Sequence, residues 1–203
     1  MYAALTNDCL DAALPPAIIE QFVASAGSDD PLAITIKQGG RLVLIPKQRS
    51  PEEALSTVRD YVGRASVRVG VTQLPAGIGL NDPSQLQPGI FDRCENMRIG
   101  TALFAKVARI VTKWYGRPTN IELLPQMMDD AIYAWRTGEF EGQNVFKTED
   151  PGGPTFFFNG SGEVQPMALI NEPTRRDERE KNTDPKDAAT TGIRIDLSRI
   201  GGQ

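Results

Sequence analysis

Histidine is absent from this chain of 203 residues. That absence excludes Ser-His-Asp and Cys-His nucleophilic catalysis, and it excludes metal sites that use imidazole ligands. Cysteine is scarce: Cys9 and Cys94 are the two present, and two thiolates cannot complete a zinc cage alone. We therefore expect neither a bound metal nor another cofactor.

Long apolar runs and an excess of positive charge are also missing. No stretch reaches the roughly 18 continuous apolar residues of a membrane helix, so we expect no membrane span. The formal net charge is −4, which gives no indication of direct nucleic-acid binding. The N-terminal segment MYAALTNDCLDAALPP has no basic region followed by an uninterrupted apolar run, and so it shows no signal peptide. Without an export signal, two separate buried thiols are favoured over a disulfide.

The stretch Pro15–Ile34 combines a buried helix with a polar loop. Two prolines suit the start of the helix, where no N–H donor is needed. Apolar residues cover most of the helix surface, which places it inside the domain. The helix ends in the small residues at 24–28, and Asp29 and Asp30 follow. This arrangement is typical of the floor of a cleft.

Beyond Asp30 the apolar residues alternate, as they do in strands. Alternation over 34–37, the turn Gly39-Gly40 and the run 42–45 predict a β-hairpin. A second alternating segment extends to Gln73, and a loop rich in glycine and proline follows over 74–89.

Three further helices are predicted from caps and apolar spacing. One begins at the capping box Ser50-Pro51-Glu52-Glu53, a long one spans 90–115, and one spans 125–137. The charged composition beyond about residue 171 predicts disorder. We therefore expect a mainly helical α+β domain over 1–150 and an extension over 151–203.

The order of these elements resembles the specialised lytic transglycosylases of type IV secretion systems, which have a lysozyme-like fold. The resemblance covers roughly residues 5–150 and implies that fold here, with its small β-hairpin. It rests on the following segments in order: the helix end at 26–27, DPLAI at 30–34, GVTQ at 70–73, CENMR at 94–98 and WRTG at 135–138.

The resemblance fails at the catalytic acid. It places that glutamate at Ala26 and the serine after it at Gly27. Cleavage of a glycosidic bond needs a proton for the leaving oxygen, and an alanine has none to donate. Glu20 and Asp30 are the weak substitutes nearby. The resemblance therefore implies a protein without this catalysis, unless one of those two carboxyl groups supplies the acid.

The chain also resembles the TraH family of conjugal-transfer proteins of Agrobacterium and Rhizobium plasmids. This resemblance rests on the missing acid and on the segments VGVTQ, ENMRIGTALF and TKWYG. That resemblance carries no established biochemical activity. The active transglycosylases have cysteines at places like Cys9 and Cys94. The resemblance thus makes a disulfide as good an alternative as two thiols, and a disulfide would require the periplasm.

Three functional hypotheses follow. The leading one is a non-catalytic binding or assembly module of a conjugal transfer system, which contacts peptidoglycan glycan strands or components of type IV secretion. The other two are an active transglycosylase with a substitute acid and a cytoplasmic accessory of DNA transfer. Family analogy favours the periplasm, and the missing signal peptide favours the cytoplasm. The expected cleft residues, for which core packing is the alternative role, are Gly27, Thr72, Gln73, Tyr133 and Trp135.

Overall fold

The computed structural model describes residues 9–80, 82–118 and 120–157. Over these residues the chain is a mixed α/β protein with four α-helices and small antiparallel sheets. The predicted disorder beyond about residue 171 lies outside the described residues.

The helices form where caps and apolar spacing coincide. They are α1 (Pro16–Ala26), α2 (Pro51–Tyr61), α3 (Arg93–Trp114) and α4 (Leu124–Thr137). The Ser50 hydroxyl caps α2 by accepting a hydrogen bond from the Glu53 N–H at 3.2 Å. Helix α3 begins three residues later than predicted, because Pro88–Phe91 forms a separate 3₁₀ turn and Asp92 is the N-cap.

The main sheet is larger than the predicted hairpin. Its strands are β1 (Ile34–Gln38), β2 (Arg41–Val43), β3 (Ser66–Val69) and β4 (Leu74–Pro75), in the antiparallel order β2-β1-β3-β4. The predicted hairpin is β1–β2. The second alternating segment becomes β3, which ends before Gln73 because the chain turns over residues 70–73. Strands β5 (Glu139–Phe140) and β6 (Gln143–Asn144) form a separate pair.

An aromatic cluster joins three of the helices at the centre of the core. Phe22 of α1 stacks on Phe104 of α3 with ring centroids 4.0 Å apart. Both rings meet Trp135 of α4 edge-on, at 5.1 and 6.0 Å, and all three side chains are fully buried. Burial of rings of this size stabilises a core strongly, and it fixes the end of α1 relative to α4.

The packed core extends past residue 150, the predicted end of the first domain. The Thr155 hydroxyl donates to the Ala13 carbonyl at 3.2 Å, and Phe156 and Phe157 are buried. Asp150 pairs with Arg109 of α3. Residues 151–157 therefore pack on the same core as the helices, because two phenylalanines in this segment need a buried surface.

None of the helices over the described residues combines the length and apolarity that crossing a bilayer needs. The described part of the chain also contains no group of three acidic or cysteine side chains placed to hold a metal ion.

Candidate binding cleft

A cleft of about 310 Å³ opens beside the end of α1, next to the position that the resemblance assigns to the acid. It lies between α1, the strands β1 and β3, the turn over 70–73 and the end of α4. The lining residues are Ser25, Ala26, Gly27, Thr35, Lys37, Ser66, Arg68, Gln73, Trp135 and Arg136.

The polar face of the β1–β3 pair forms one wall of this cleft. Thr35 lies opposite Arg68, and Lys37 lies opposite Ser66. Side chains alternate between the faces of a strand, so the residues between them, such as Ile36 and Val67, belong to the buried core. The alternation that makes each strand amphipathic therefore also supplies the cleft with hydroxyls and positive charges.

Gly27 allows the end of α1 to lie against the turn over 70–73. The Ser28 N–H donates to the Val71 carbonyl at 2.8 Å. A Cβ at position 27 would overlap that carbonyl oxygen and would come within 2.7 Å of the Val23 carbonyl oxygen. A serine at this position, as the resemblance would have it, therefore requires the backbone of α1 or of the turn to move.

Asn96 of α3 fixes the turn over 70–73 by hydrogen bonds. Its amide oxygen accepts from the Thr72 N–H and from the Thr72 hydroxyl, both at 2.9 Å. Its amide nitrogen donates to the carbonyls of Val69 at 3.2 Å and Ile90 at 2.9 Å. The Trp135 indole N–H donates to the Thr72 carbonyl at 3.1 Å. The turn is thus connected to α3 and α4 by buried hydrogen bonds, which are costly to break.

Gln73 presents a fixed amide to the cleft. It has a positive φ of 52°, and its side chain is mostly buried. The side-chain nitrogen donates to the Gly70 carbonyl at 3.0 Å, and the side-chain oxygen accepts from the Thr35 hydroxyl at 2.6 Å. Both ends of the amide are therefore engaged within the protein.

Arg68 lies across the base of the cleft and is held by carbonyl groups. Its guanidinium donates to the carbonyls of Gln73 at 3.2 Å, of Arg136 at 3.1 Å and of Trp135. Burial, with a smaller effect from the positive charge of Arg136, lowers the pKa of Arg68 to about 10. Arg68 therefore remains charged at neutral pH.

The structure brings some of the predicted cleft residues together and separates others. Gly27, Gln73 and Trp135 line the cleft with Ala26. Two of the predicted residues lie outside this lining. Thr72 is fully buried and its hydroxyl donates to the Asn96 amide oxygen, whereas Tyr133 is 62% exposed on α4.

Neither proposed substitute acid reaches the cleft lining. Glu20 is exposed on α1 and is absent from the residues that line the cleft. Asp30 accepts a hydrogen bond from the Leu32 N–H at 2.9 Å and pairs with Lys47 at 3.4 Å. No aspartate or glutamate of the described chain lines this cleft. The site can bind through hydrogen bonds and positive charge, and it has no carboxylic acid to donate a proton.

Six lining residues are not among the expected cleft residues: Ser25, Thr35, Lys37, Ser66, Arg68 and Arg136. For the four on β1 and β3, the alternating pattern of the two strands was the available signal. This pattern shows which residues of one strand share a face. It does not show that the faces of β1 and β3 lie side by side, which requires the pairing of the two strands.

A larger apolar groove of about 440 Å³ lies on the other side of the β4 region, along α3. Glu95 is the acid in its lining, and it is bound in two places by Arg98, at 2.6 and 2.9 Å. Hydrogen bonding to Arg98 holds the pKa of Glu95 below its ordinary value. This groove therefore offers no proton donor in place of the missing one.

Cys9 and Cys94 form a disulfide, with Cα atoms 4.8 Å apart. The bond joins the segment before α1 to the second residue of α3. The Asp11 N–H donates to the Thr101 hydroxyl of α3 at 2.9 Å and supports the same attachment.

Comparison with known proteins identifies the family. The sequence model of TraH_2 matches residues 1–202. The chain belongs to the TraH_2 family. This membership associates the chain with conjugal transfer. A relative, "Uncharacterized protein y4dP" of Sinorhizobium fredii, is 48% identical over 209 residues, and the match covers 98% of each chain. No solved structure matches the chain.

Proposed function

We propose that this TraH_2 family protein is a non-catalytic binding or assembly module of a conjugal transfer system of the type IV secretion class. In this proposal the domain is lysozyme-like, and its cleft contacts peptidoglycan glycan strands without cleaving them. One observation carries the proposal: a cleft of about 310 Å³ lies beside Ala26, and its lining contains no carboxyl group.

The chemistry of glycoside cleavage explains why the absence of a carboxyl group from the lining matters. A carboxylic acid must protonate the leaving oxygen, and its pKa is usually raised by an apolar pocket. Here the lining is polar and carries three positive charges, from Lys37, Arg68 and Arg136. Such surroundings favour an ionised carboxylate over a protonated one. The cleft therefore lacks both the acid and the environment that would keep an acid protonated.

The disulfide supports a place outside the cytoplasm. Disulfides form and persist in oxidising compartments such as the bacterial periplasm, and they are rare in the cytosol. The Cys9–Cys94 bond thus favours a periplasmic binding module over a cytoplasmic accessory of DNA transfer. Thiol labelling of the protein from fractionated cells tests this point, because fully reduced protein found only in the cytosol would contradict it.

The binding part of the proposal is tested by titrating the full-length protein with soluble peptidoglycan fragments in a calorimeter. Binding is expected in the micromolar to millimolar range. Ala26→Phe, which fills the cleft, should weaken it. Ala24→Phe is the matched control, because Ala24 is exposed on α1 and lies outside the cleft lining. Absence of binding at millimolar fragment would remove the glycan role, and equal binding by both variants would place the ligand elsewhere.

A further inference from the structure

We propose that the cleft is selective for an anionic ligand, and that it holds the carboxylate of a carboxylate-bearing glycan between Lys37, Arg136 and the half-buried Arg68. The glycan part of this inference rests on the proposed function. The anion part rests on the charges of the cleft alone.

The charges of the lining are all of one sign. Of the ten residues that form it, Lys37, Arg68 and Arg136 are cations, and none is an acid. The described ion pairs use other cations, namely Lys47, Arg98 and Arg109. The three cleft cations thus have no carboxylate partner within the described chain, although the protein as a whole has a net charge of −4.

Arg68 is the fixed member of the three. Carbonyl oxygens of Gln73, Trp135 and Arg136 accept its hydrogen bonds, and the rings of Trp135 and Phe146 flank it at 5.8 and 5.6 Å. These groups orient the guanidinium and partly compensate its burial, but they carry no formal negative charge. A half-buried charge without a counterion is only partly compensated by carbonyl groups, so an anion that enters the cleft is stabilised by pairing with Arg68.

Lys37 and Arg136 are the exposed members. Lys37 lies on β1 and Arg136 near the end of α4, and both line the cleft with Arg68. Arg136 is close enough for its charge to contribute to the lowered pKa of Arg68. Cations that repel one another around one opening are brought together favourably by a shared anion.

The cleft offers no aromatic face for a neutral sugar. Trp135 is the aromatic residue of the lining, and it is fully buried, with Phe22, Phe104 and Phe146 packed edge-on around it. Tyr133 is exposed but lies outside the lining. Recognition in this cleft therefore depends on charge and hydrogen bonds, and an uncharged glycan should bind far less well than one with a carboxylate.

The test compares two sugars on the full-length protein by calorimetry or NMR titration. The disaccharide GlcNAc-MurNAc carries one carboxylate, on its lactyl group, and N,N′-diacetylchitobiose is the uncharged disaccharide of similar size that lacks this group. We expect GlcNAc-MurNAc to bind at least about tenfold more tightly. The Lys37→Gln/Arg136→Gln variant should bind the carboxylate-bearing sugar about tenfold more weakly than the unmodified protein does. The Arg49→Gln/Lys147→Gln variant should lose no affinity, because both residues are exposed and lie outside the lining.

Two results would overturn the anion site: equal affinity for the two sugars, or unchanged affinity in the Lys37→Gln/Arg136→Gln variant. If neither sugar binds, the proposed glycan function fails, and inorganic phosphate then decides the anion site. Phosphate-dependent shifts of the Ala26 and Gly27 amide signals that vanish in the Lys37→Gln/Arg136→Gln variant would support it. Absence of such shifts in the unmodified protein would overturn it.

Discussion

At the scale of single residues, an asparagine fixes the turn beside the cleft. The spacing of apolar residues along α3 predicts that this asparagine lies outside the core. Asn96 lies off the apolar stripe of α3, yet it is fully buried. The spacing of apolar residues shows which residues share a helix face. It does not show which polar side chains have hydrogen-bond partners in the protein interior. Four hydrogen bonds to Val69, Thr72 and Ile90 make this burial favourable.

Gly100 is expected to be intolerant of the smallest side chain. A methyl group usually stabilises a mid-helix glycine position by about 1 kcal/mol. At Gly100 a Cβ would overlap the Thr72 side chain, which Asn96 holds in place. We expect Gly100→Ala to lower the free energy of unfolding by about 1–3 kcal/mol.

Urea denaturation of the full-length protein measures this effect. Gly89→Ala is the matched control, because a Cβ there meets no atom within 4 Å, and its effect should stay within about 0.5 kcal/mol. Equal stability of Gly100→Ala and Gly89→Ala would show that Thr72 is free to move.

A glutamate introduced at position 26 should not act as an acid catalyst. In the Ala26→Glu variant the new carboxyl group faces Lys37, Arg68 and Arg136, so its pKa should fall below the ordinary value of about 4.3. NMR titration of the carboxyl carbon measures that pKa, with Ala24→Glu as an exposed control. A pKa raised above the ordinary value would contradict the cationic character assigned to the cleft.

At the scale of elements, the helices were predictable and the sheet order was not. Ser50 and Asp92 cap their helices locally, and Gly138 ends α4 with a positive φ of 84°, so short-range signals suffice. The pairing of β1 with β3 depends on segments about thirty residues apart. Because that pairing builds the wall of the cleft, Lys37 and Arg68 could not be recognised as neighbours from the sequence alone.

The Cys9–Cys94 disulfide joins residues 85 positions apart. Closing a loop of this length in the unfolded chain corresponds to about 2–5 kcal/mol of stabilisation. We expect a reductant to lower the free energy of unfolding by this amount. The same reductant should leave a Cys9→Ala/Cys94→Ala variant unchanged, and an equal response of both proteins would show that the reductant acts elsewhere.

The pair Arg109–Asp150 attaches the segment before Phe156 to α3. Hydrogen bonding to Arg109 is the main cause that holds the pKa of Asp150 below its ordinary value. Stability from this pair is therefore present above the unfolded pKa of about 3.9, and it is lost as pH falls through the lower folded value. The pair is partly exposed, so its contribution near neutral pH is about 0.5–1 kcal/mol.

Denaturation of the Asp150→Asn variant at about pH 7 and about pH 2 measures this contribution. The variant should be less stable than the unmodified protein at neutral pH, and the difference should vanish at acid pH. Asp129→Asn, an exposed change on α4, should show no such dependence. A difference that persists at acid pH would assign the loss to something other than the charge of Asp150.

At the scale of the whole molecule, the domain has a cleft beside Ala26, and no carboxyl group lines that cleft. The resemblance to the transglycosylases predicts the acid at position 26, and Ala26 lines the cleft together with Lys37, Arg68 and Arg136. Membership of the TraH_2 family associates the chain with conjugal transfer. The central claim is that the cleft binds without cleaving.

The most direct test of that claim is turnover of purified peptidoglycan by the full-length protein, measured as soluble glycan fragments released over time. Hen lysozyme serves as the positive control. Because no carboxyl group lines the cleft, we expect no release above that of buffer at any pH from about 4 to 8. Fragment release by the unmodified protein that is lost in Glu20→Gln or Asp30→Asn would contradict it.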